Sequence, residues 1–347
     1  MSPMSRMRLE AAEAPEVVER LLAHDAERLA ALGAALRETP PRSILTLARG
    51  SSDHAAHYAG YLVMARLGRL VTSLPMSLVT LHGARLDCDG LLSIAFSQSG
   101  QSPDLVLPTR EFAARGATTL AFVNDTASPL AQAATWSFGL HAGPEHSIAA
   151  TKSFIAQMVA GARWVAAWQR DASLDAALRG LPAALRQAVR AGDDWCDAVP
   201  TLLGAERLYV IGRGTGLAVA MEAALKLKEV CGIQAEGLSG AELRHGPMAL
   251  VDAGYPVLVF APRGPARAGL LTLADELRSR GACVVLAAGE GAAGSRAAEC
   301  RLVETGDMDL DPITAVQSFY VLAEALARAR GRNPDAPPHL SKVTRTR

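Results

Sequence analysis

Residues 43–50, SILTLARG, and 208–214, LYVIGRG, each run a short apolar stretch into an Arg-Gly turn. A short apolar run that closes on a turn residue and leads into a helical pattern reads as a buried strand feeding a helix. The two stretches stand in register, because Gly50 and Gly214 lie 164 residues apart. Gly100 and Gly264 keep that offset, and so do Thr118 and Ala282, where the third apolar run of each half begins. Three landmarks at one offset predict an internal duplication.

Outward from these runs, residues 43–48, 91–96, 118–123 and 135–140 read as strands of the first half, with helices over 53–67, 103–115 and 151–170. In the second half, strands are expected at 208–212, 256–261, 282–287 and 301–304, and helices at 217–230, 267–280 and 312–330. Strand, crossover helix, strand is the pattern of a parallel sheet covered on both faces. The expectation is therefore an α/β fold with two tandem doubly wound parallel sheets, each a flavodoxin-like α/β/α three-layer unit. A single helix is expected over 10–38, stopped by Pro40-Pro41. The organisation predicted is an N-terminal helical segment (1–40), a first domain (41–180), a helical connector (181–205), a second domain (206–330) and a C-terminal tail (331–347).

Composition narrows the function. The 347 residues carry 35 basic and 35 acidic groups, so no basic field exists to hold nucleic acid or an anionic membrane. Half of the residues are hydrophobic, which excludes a mostly disordered chain. No apolar run reaches the roughly 18 residues that a bilayer requires, and the amphipathic start has no signal-peptide stretch. The five cysteines (Cys88, Cys196, Cys231, Cys283, Cys300) are scattered, as suits reduced thiols in a cytoplasmic enzyme.

The halves diverge where ligands bind in such sheets, in the loops after the strands. The first copy has Ser97-Gln98-Ser99-Gly100-Gln101-Ser102 ahead of Pro103, and Gly50-Ser51-Ser52 after its first strand. Hydroxyls, a carboxamide and free N–H groups at helix starts form a phosphate cradle; serine-rich loops also serve as plain turns and caps. The second copy has Ala261-Pro262-Arg263-Gly264-Pro265-Ala266, without hydroxyls and with two amides lost to proline. It carries ionisable groups instead. Glu222, Lys226 and Glu229 fall at i, i+4 and i+7 on one helix face, in a segment otherwise largely apolar. Further on, glycines and Pro247 are expected to hold His245 in a tight turn at the end of a short helix. The pairs His54/His57 and His141/His146 have no third ligand at metal spacing, so no metal site and no cofactor are expected.

Six motifs in order, LARGSS (47–52), SQSGQS (97–102), SIAATKSF (147–154), EAALKLKEV (222–230), ELRHGP (242–247) and NPDAPPHLSKV (333–343), resemble the tandem sugar-isomerase (SIS) domain proteins. The resemblance is to the isomerase half of glucosamine-6-phosphate synthase and to SIS-type glucosamine-6-phosphate deaminases. It implies that Ser51, Ser52, Ser97, Gln98, Ser99 and Ser102 grip a sugar phosphate and that the backbone at Ile148 and Ala149 lines the sugar. Glu229 would move a proton between C1 and C2, His245 would assist ring opening across a homodimer interface, and Lys342 would close over the site and can form an imine. Departures are Gln101 for the usual acidic residue, Ser341 for alanine, the ending VTRTR, and only a short helix before the first strand. The implied activity is conversion of glucosamine 6-phosphate and water to fructose 6-phosphate and ammonia. Alternatives are a deglycase, deaminase or isomerase for another 6-phospho-sugar amine, an isomerase of the synthase type without glutaminase, or a non-catalytic sugar-phosphate sensor.

Overall fold

The computed structural model describes residues 4–289 and 299–342. The N-terminal helix expected over 10–38 is three helices, α1 (Arg6–Ala12), α2 (Ala14–Ala23) and α3 (Ala26–Glu38). Pro15 belongs to a first turn, where its missing N–H costs nothing, so a new helix starts there. Asp25, at φ 59°, turns the chain again before α3.

The first sheet contains β1 (Ser43–Leu47), β2 (Thr72–Ser73), β3 (Leu91–Ser97), β4 (Thr118–Val123) and β5 (Trp136–Gly139) in the order β2-β1-β3-β4-β5, all parallel. Its helices are α4 (Ser51–Leu67), α5 (Ser77–Thr80), α6 (Pro103–Ala114), α7 (Pro129–Ala133) and α8 (Lys152–Gln169). Strand alternation divides the core. Ala95, Ala121 and Val123 face Leu105 and Phe112 of α6 and Leu130 of α7. Phe96 and Phe122 turn to the other face, where Phe122 meets Trp164 of α8. There Gly161 brings α8 so close to α4 that a Cβ would lie 2.8 Å from that of Ala59.

After α9 (Ala172–Trp195) and α10 (Val199–Leu202), the second sheet contains β6 (Arg207–Gly212), β7 (Gln234–Ser239), β8 (Pro256–Ala261), β9 (Cys283–Ala288) and β10 (Glu299–Arg301). Its order, β7-β6-β8-β9-β10, is the same topology with parallel pairing throughout. Helices α11 (Thr215–Lys226), α12 (Arg267–Ser279) and α13 (Asp311–Ala329) accompany it. On one face Leu270, Leu273 and Leu277 of α12 pack on Val257, Val259 and Leu286; on the other Phe260 meets Phe319 of α13.

Two strands were not expected from sequence, β2 and β7. β7 contains Gly237, where a Cβ would lie only 2.7 Å from the Met221 Cα. That close approach serves packing but weakens the strand pattern. β10 also lies earlier than the expected 301–304.

Among the described residues, one unit gathers 4–15, His146–Thr151, 180–289 and 299–340 by contacts; the other gathers Glu16–Glu145, Lys152–Arg179 and 341–342.

Candidate active site

Gly50 and Gly214 close their Arg-Gly turns with nearly the same backbone, φ 55°, ψ −133° and φ 62°, ψ −135°. A positive φ combined with ψ near −135° is a conformation that glycine adopts readily and other residues do not. Each glycine reverses the chain from a strand into the N-terminus of a helix.

In the first sheet two helix starts, those of α4 and α6, meet at a cavity of about 380 Å³. It is lined by Arg49, Gly50, Ser52, Ser97, Gln98, Ser99, Ser102 and Lys342, with Phe96 and Leu105 as apolar backing. Ser97 Oγ accepts the Gly100 N–H at 2.9 Å and Ser99 Oγ accepts that of Gln101 at 3.3 Å. Each hydroxyl is thereby oriented with its own proton left to donate. Ser102 caps α6 by position, and its side chain makes no capping bond. Gly100 is needed at φ 64°, since a Cβ there would meet Ser128 Oγ at 2.1 Å. Ser51, half-buried at the start of α4, is not among the lining residues.

Two residues of this region were missed in the sequence. Arg49 reaches across to the fully buried Asp104, Nε to Oδ2 at 2.8 Å, and keeps half its surface open at the cavity. Its place next to Gly50-Ser51-Ser52 was the available signal. Glu145 is buried and accepts the Lys342 ammonium at 3.0 Å; no local pattern marks it. In the first turn of α4, burial pushes Asp53 above the usual carboxylate range, with His54, His57 and Arg49 pulling it down.

In the other unit, α11 widens at its end into a π-helical turn, Leu227–Cys231. Such turns recur at functional sites. Lys226 is fully buried there, 3.4 Å from Glu222 and hydrogen-bonded to Glu229. Burial works against its charge, but the two carboxylates outweigh it and hold its pKa above the ordinary lysine value. Tyr320 of α13 adds a hydroxyl 3.4 Å from Glu222. The charged stripe read from sequence is therefore an internal network, with Glu229 at its partly open end.

His245 ends the 3₁₀ turn Glu242–His245 before Gly246 at φ 137°, as the tight turn required. It is exposed, beside a cavity of about 320 Å³ also lined by Arg213 and Arg244. Ile148 is half-buried and Ala149 fully buried, in a loop fixed by Glu10, whose carboxylate accepts the His146 and Ser147 N–H groups at 2.5 and 3.0 Å. In the second copy, Arg263 stands at the counterpart of Ser99 and is bound to Asp311, which raises its pKa further.

Two parallel sheets of one topology, with a hydroxyl-lined cavity at the strand ends of the first, define a tandem doubly wound protein of the α/β class. The chain belongs to the SIS domain family, whose model matches residues 39–166 and 201–327. It is 33% identical over 314 residues to the glutamine–fructose-6-phosphate aminotransferase (isomerizing) of Aeropyrum pernix, an alignment covering 86% of this chain and 50% of that protein. The chain spans about half the length of the curated relatives it matches. Among solved structures, a candidate phosphosugar isomerase from Silicibacter pomeroyi is 43% identical with a TM-score of 0.88, over 96% of this chain and 100% of that one. The glucosamine-6-phosphate deaminase of Thermotoga maritima shares the fold at 20% identity and a TM-score of 0.77, over 99% of this chain and 100% of that one.

Proposed function

We propose that the protein is a phosphosugar isomerase that deaminates, converting glucosamine 6-phosphate and water to fructose 6-phosphate and ammonia. The observation that carries this reading is the Lys342 amine at the wall of a cavity lined with serine hydroxyls and helix starts. The hydroxyls of Ser52, Ser97, Ser99 and Ser102 and the amide of Gln98 take the phosphate, with Arg49 adding a cation. Ser51 supports the turn. The Ile148 and Ala149 backbone lines the sugar.

His245, supplied across a homodimer, assists ring opening. Glu229 then takes the C2 proton of the open-chain sugar and returns it at C1, leaving an imine at C2. The Lys342 amine exchanges with that imine, ammonia leaves, and water releases fructose 6-phosphate. A base beside a polarised carbonyl is what this proton transfer needs, and an amine nucleophile splits the hydrolysis into two easier steps.

The similarity to an isomerizing aminotransferase supports the same chemistry run in reverse from free ammonia. Both directions are tested together. Purified protein is incubated with a panel of 6-phospho amino sugars while ammonia release is measured, and with fructose 6-phosphate and ammonium while glucosamine 6-phosphate is measured. Turnover of the glucosamine ester supports the reading; activity confined to another amine overturns the substrate and keeps the mechanism.

A further inference from the structure

We propose that Glu145 is a positioning residue that sets the Lys342 amine in the phosphate cradle; this rests on the role given to Lys342 above. Glu145 lies just after the first sheet, and its side chain is wholly buried. Its Oε1 accepts the Ser153 N–H at 3.1 Å, and its Oε2 accepts both the Ser153 hydroxyl at 2.6 Å and the Lys342 ammonium at 3.0 Å. Ser153 sits in the first turn of α8, so the carboxylate is fixed by a rigid element before the lysine reaches it. A buried carboxylate requires a cation or several donors, and here both are present.

Ahead of the lysine the tail is held by Asp335, whose carboxylate accepts the Arg6 and Met7 N–H groups, and by the buried Pro334 and Pro337. Residues 331–342 include three prolines, and Leu340 is 44% exposed, so it is no apolar anchor. Val343, the apolar residue on the other side of Ser341-Lys342, lies outside the described residues. The ion pair to a buried carboxylate, 197 residues away in sequence, orients Nζ. A lysine has four rotatable side-chain bonds, and an amine free to sample them seldom meets its carbonyl. A misplacement of about 1 Å is enough to cost about 10²-fold in rate.

The test uses the full chain. Glu145→Gln keeps an acceptor for Ser153 and removes the charge that holds Lys342. The expected result is a fall in kcat of about 10²-fold with KM changed less than about threefold, because the phosphate contacts stay. Glu145→Asp should recover part of the loss. In a Lys342→Met background, Glu145→Gln should add nothing further. Borohydride trapping with substrate, followed by peptide mass analysis, should label Lys342 in the unmodified protein and far more slowly in Glu145→Gln. An additive loss in the double variant, or a change confined to KM, overturns the positioning role. Should the unmodified protein trap no adduct, the imine reading fails instead. Hydrogen exchange at His339–Lys342 without substrate then still decides the present inference: faster exchange in Glu145→Gln supports it, and unchanged exchange overturns it. A second variant, Ser153→Ala, guards against misfolding; it leaves the ion pair and should lower kcat by a smaller factor.

Discussion

Arg263 grips Asp311 through two bonds, Nε to Oδ2 at 2.7 Å and Nη2 to Oδ1 at 2.9 Å, and its Nη2 also donates to the Thr305 carbonyl at 2.7 Å. The loop that corresponds to the serine cradle is therefore occupied by its own cation, already saturated. The two sheets share one topology, and the paired serine-rich loops stand at the strand ends of the first. Arg263→Ala should leave KM for the phosphosugar unchanged. It should lower stability by about 1–3 kcal/mol by removing the cation from a buried carboxylate, which keeps only part of its bonding through the Thr305 N–H and hydroxyl. Urea titration alongside initial rates checks both halves.

Ser97→Ala combined with Ser99→Ala should raise KM for the phosphorylated sugar by tenfold or more. Each hydrogen bond to a charged oxygen is worth roughly 1.5–3 kcal/mol. An unchanged KM would move the phosphate away from the cavity that these side chains line, toward the Arg213 loop.

Glu229→Gln should reduce turnover by about 10²–10⁴ while sugar-phosphate binding stays within a few fold, since loss of a general base acts on the chemical step. The amide preserves shape beside Lys226. Near-full activity would reduce the Glu222–Lys226–Glu229 network to a structural one. Isotope exchange at C2, measured by proton NMR, reads the same step independently of ammonia release.

Deleting residues 336–347 should abolish deamination and leave the melting temperature nearly unchanged. The truncation spares Asp335, whose carboxylate accepts the Arg6 and Met7 N–H groups at 3.0 and 2.8 Å and so ties the preceding chain to α1. Asp335→Ala, by contrast, should lower stability by about 0.5–2 kcal/mol, the range for a lost helix cap. Full activity of the truncated protein would remove Lys342 from the mechanism.

Burial pushes the thiols of Cys231 and Cys300 up to about 12. In the unfolded chain such thiols ionise near 8.5. A folded pKa above the unfolded one gives stability that is complete below the unfolded value and is lost as pH rises toward the folded one. The melting temperature should therefore fall between about pH 9 and 12, and Cys231→Ala should flatten that fall while lowering the plateau. An identical slope in the variant would assign the alkaline loss to other groups.

Strand positions, the duplication and the parallel α/β class were legible because buried strands are continuous apolar runs, and their glycine turns repeat at one offset. The helix that became three was not, since periodicity over 10–38 continues across Pro15 and Asp25, and only the backbone at Asp25 reveals the break. β7 escaped for a related reason, as Gly237 trades strand character for the approach of α11.

The candidate site divides the same way. Serines, Glu229 and Lys342 stand in local motifs, so their types and order are fixed by the chain. Partners were decided only in three dimensions. Asp104 meets Arg49 across 55 residues and Glu145 meets Lys342 across 197. Likewise, Glu222, Lys226 and Glu229 become an internal ionic network instead of a solvated stripe only because packing buries Lys226 completely. Sequence determines which groups can ionise and which backbone can turn, because those are properties of single residues and their neighbours. Which charge meets which, and how dry the meeting place is, depends on chain segments that fold against one another from far apart.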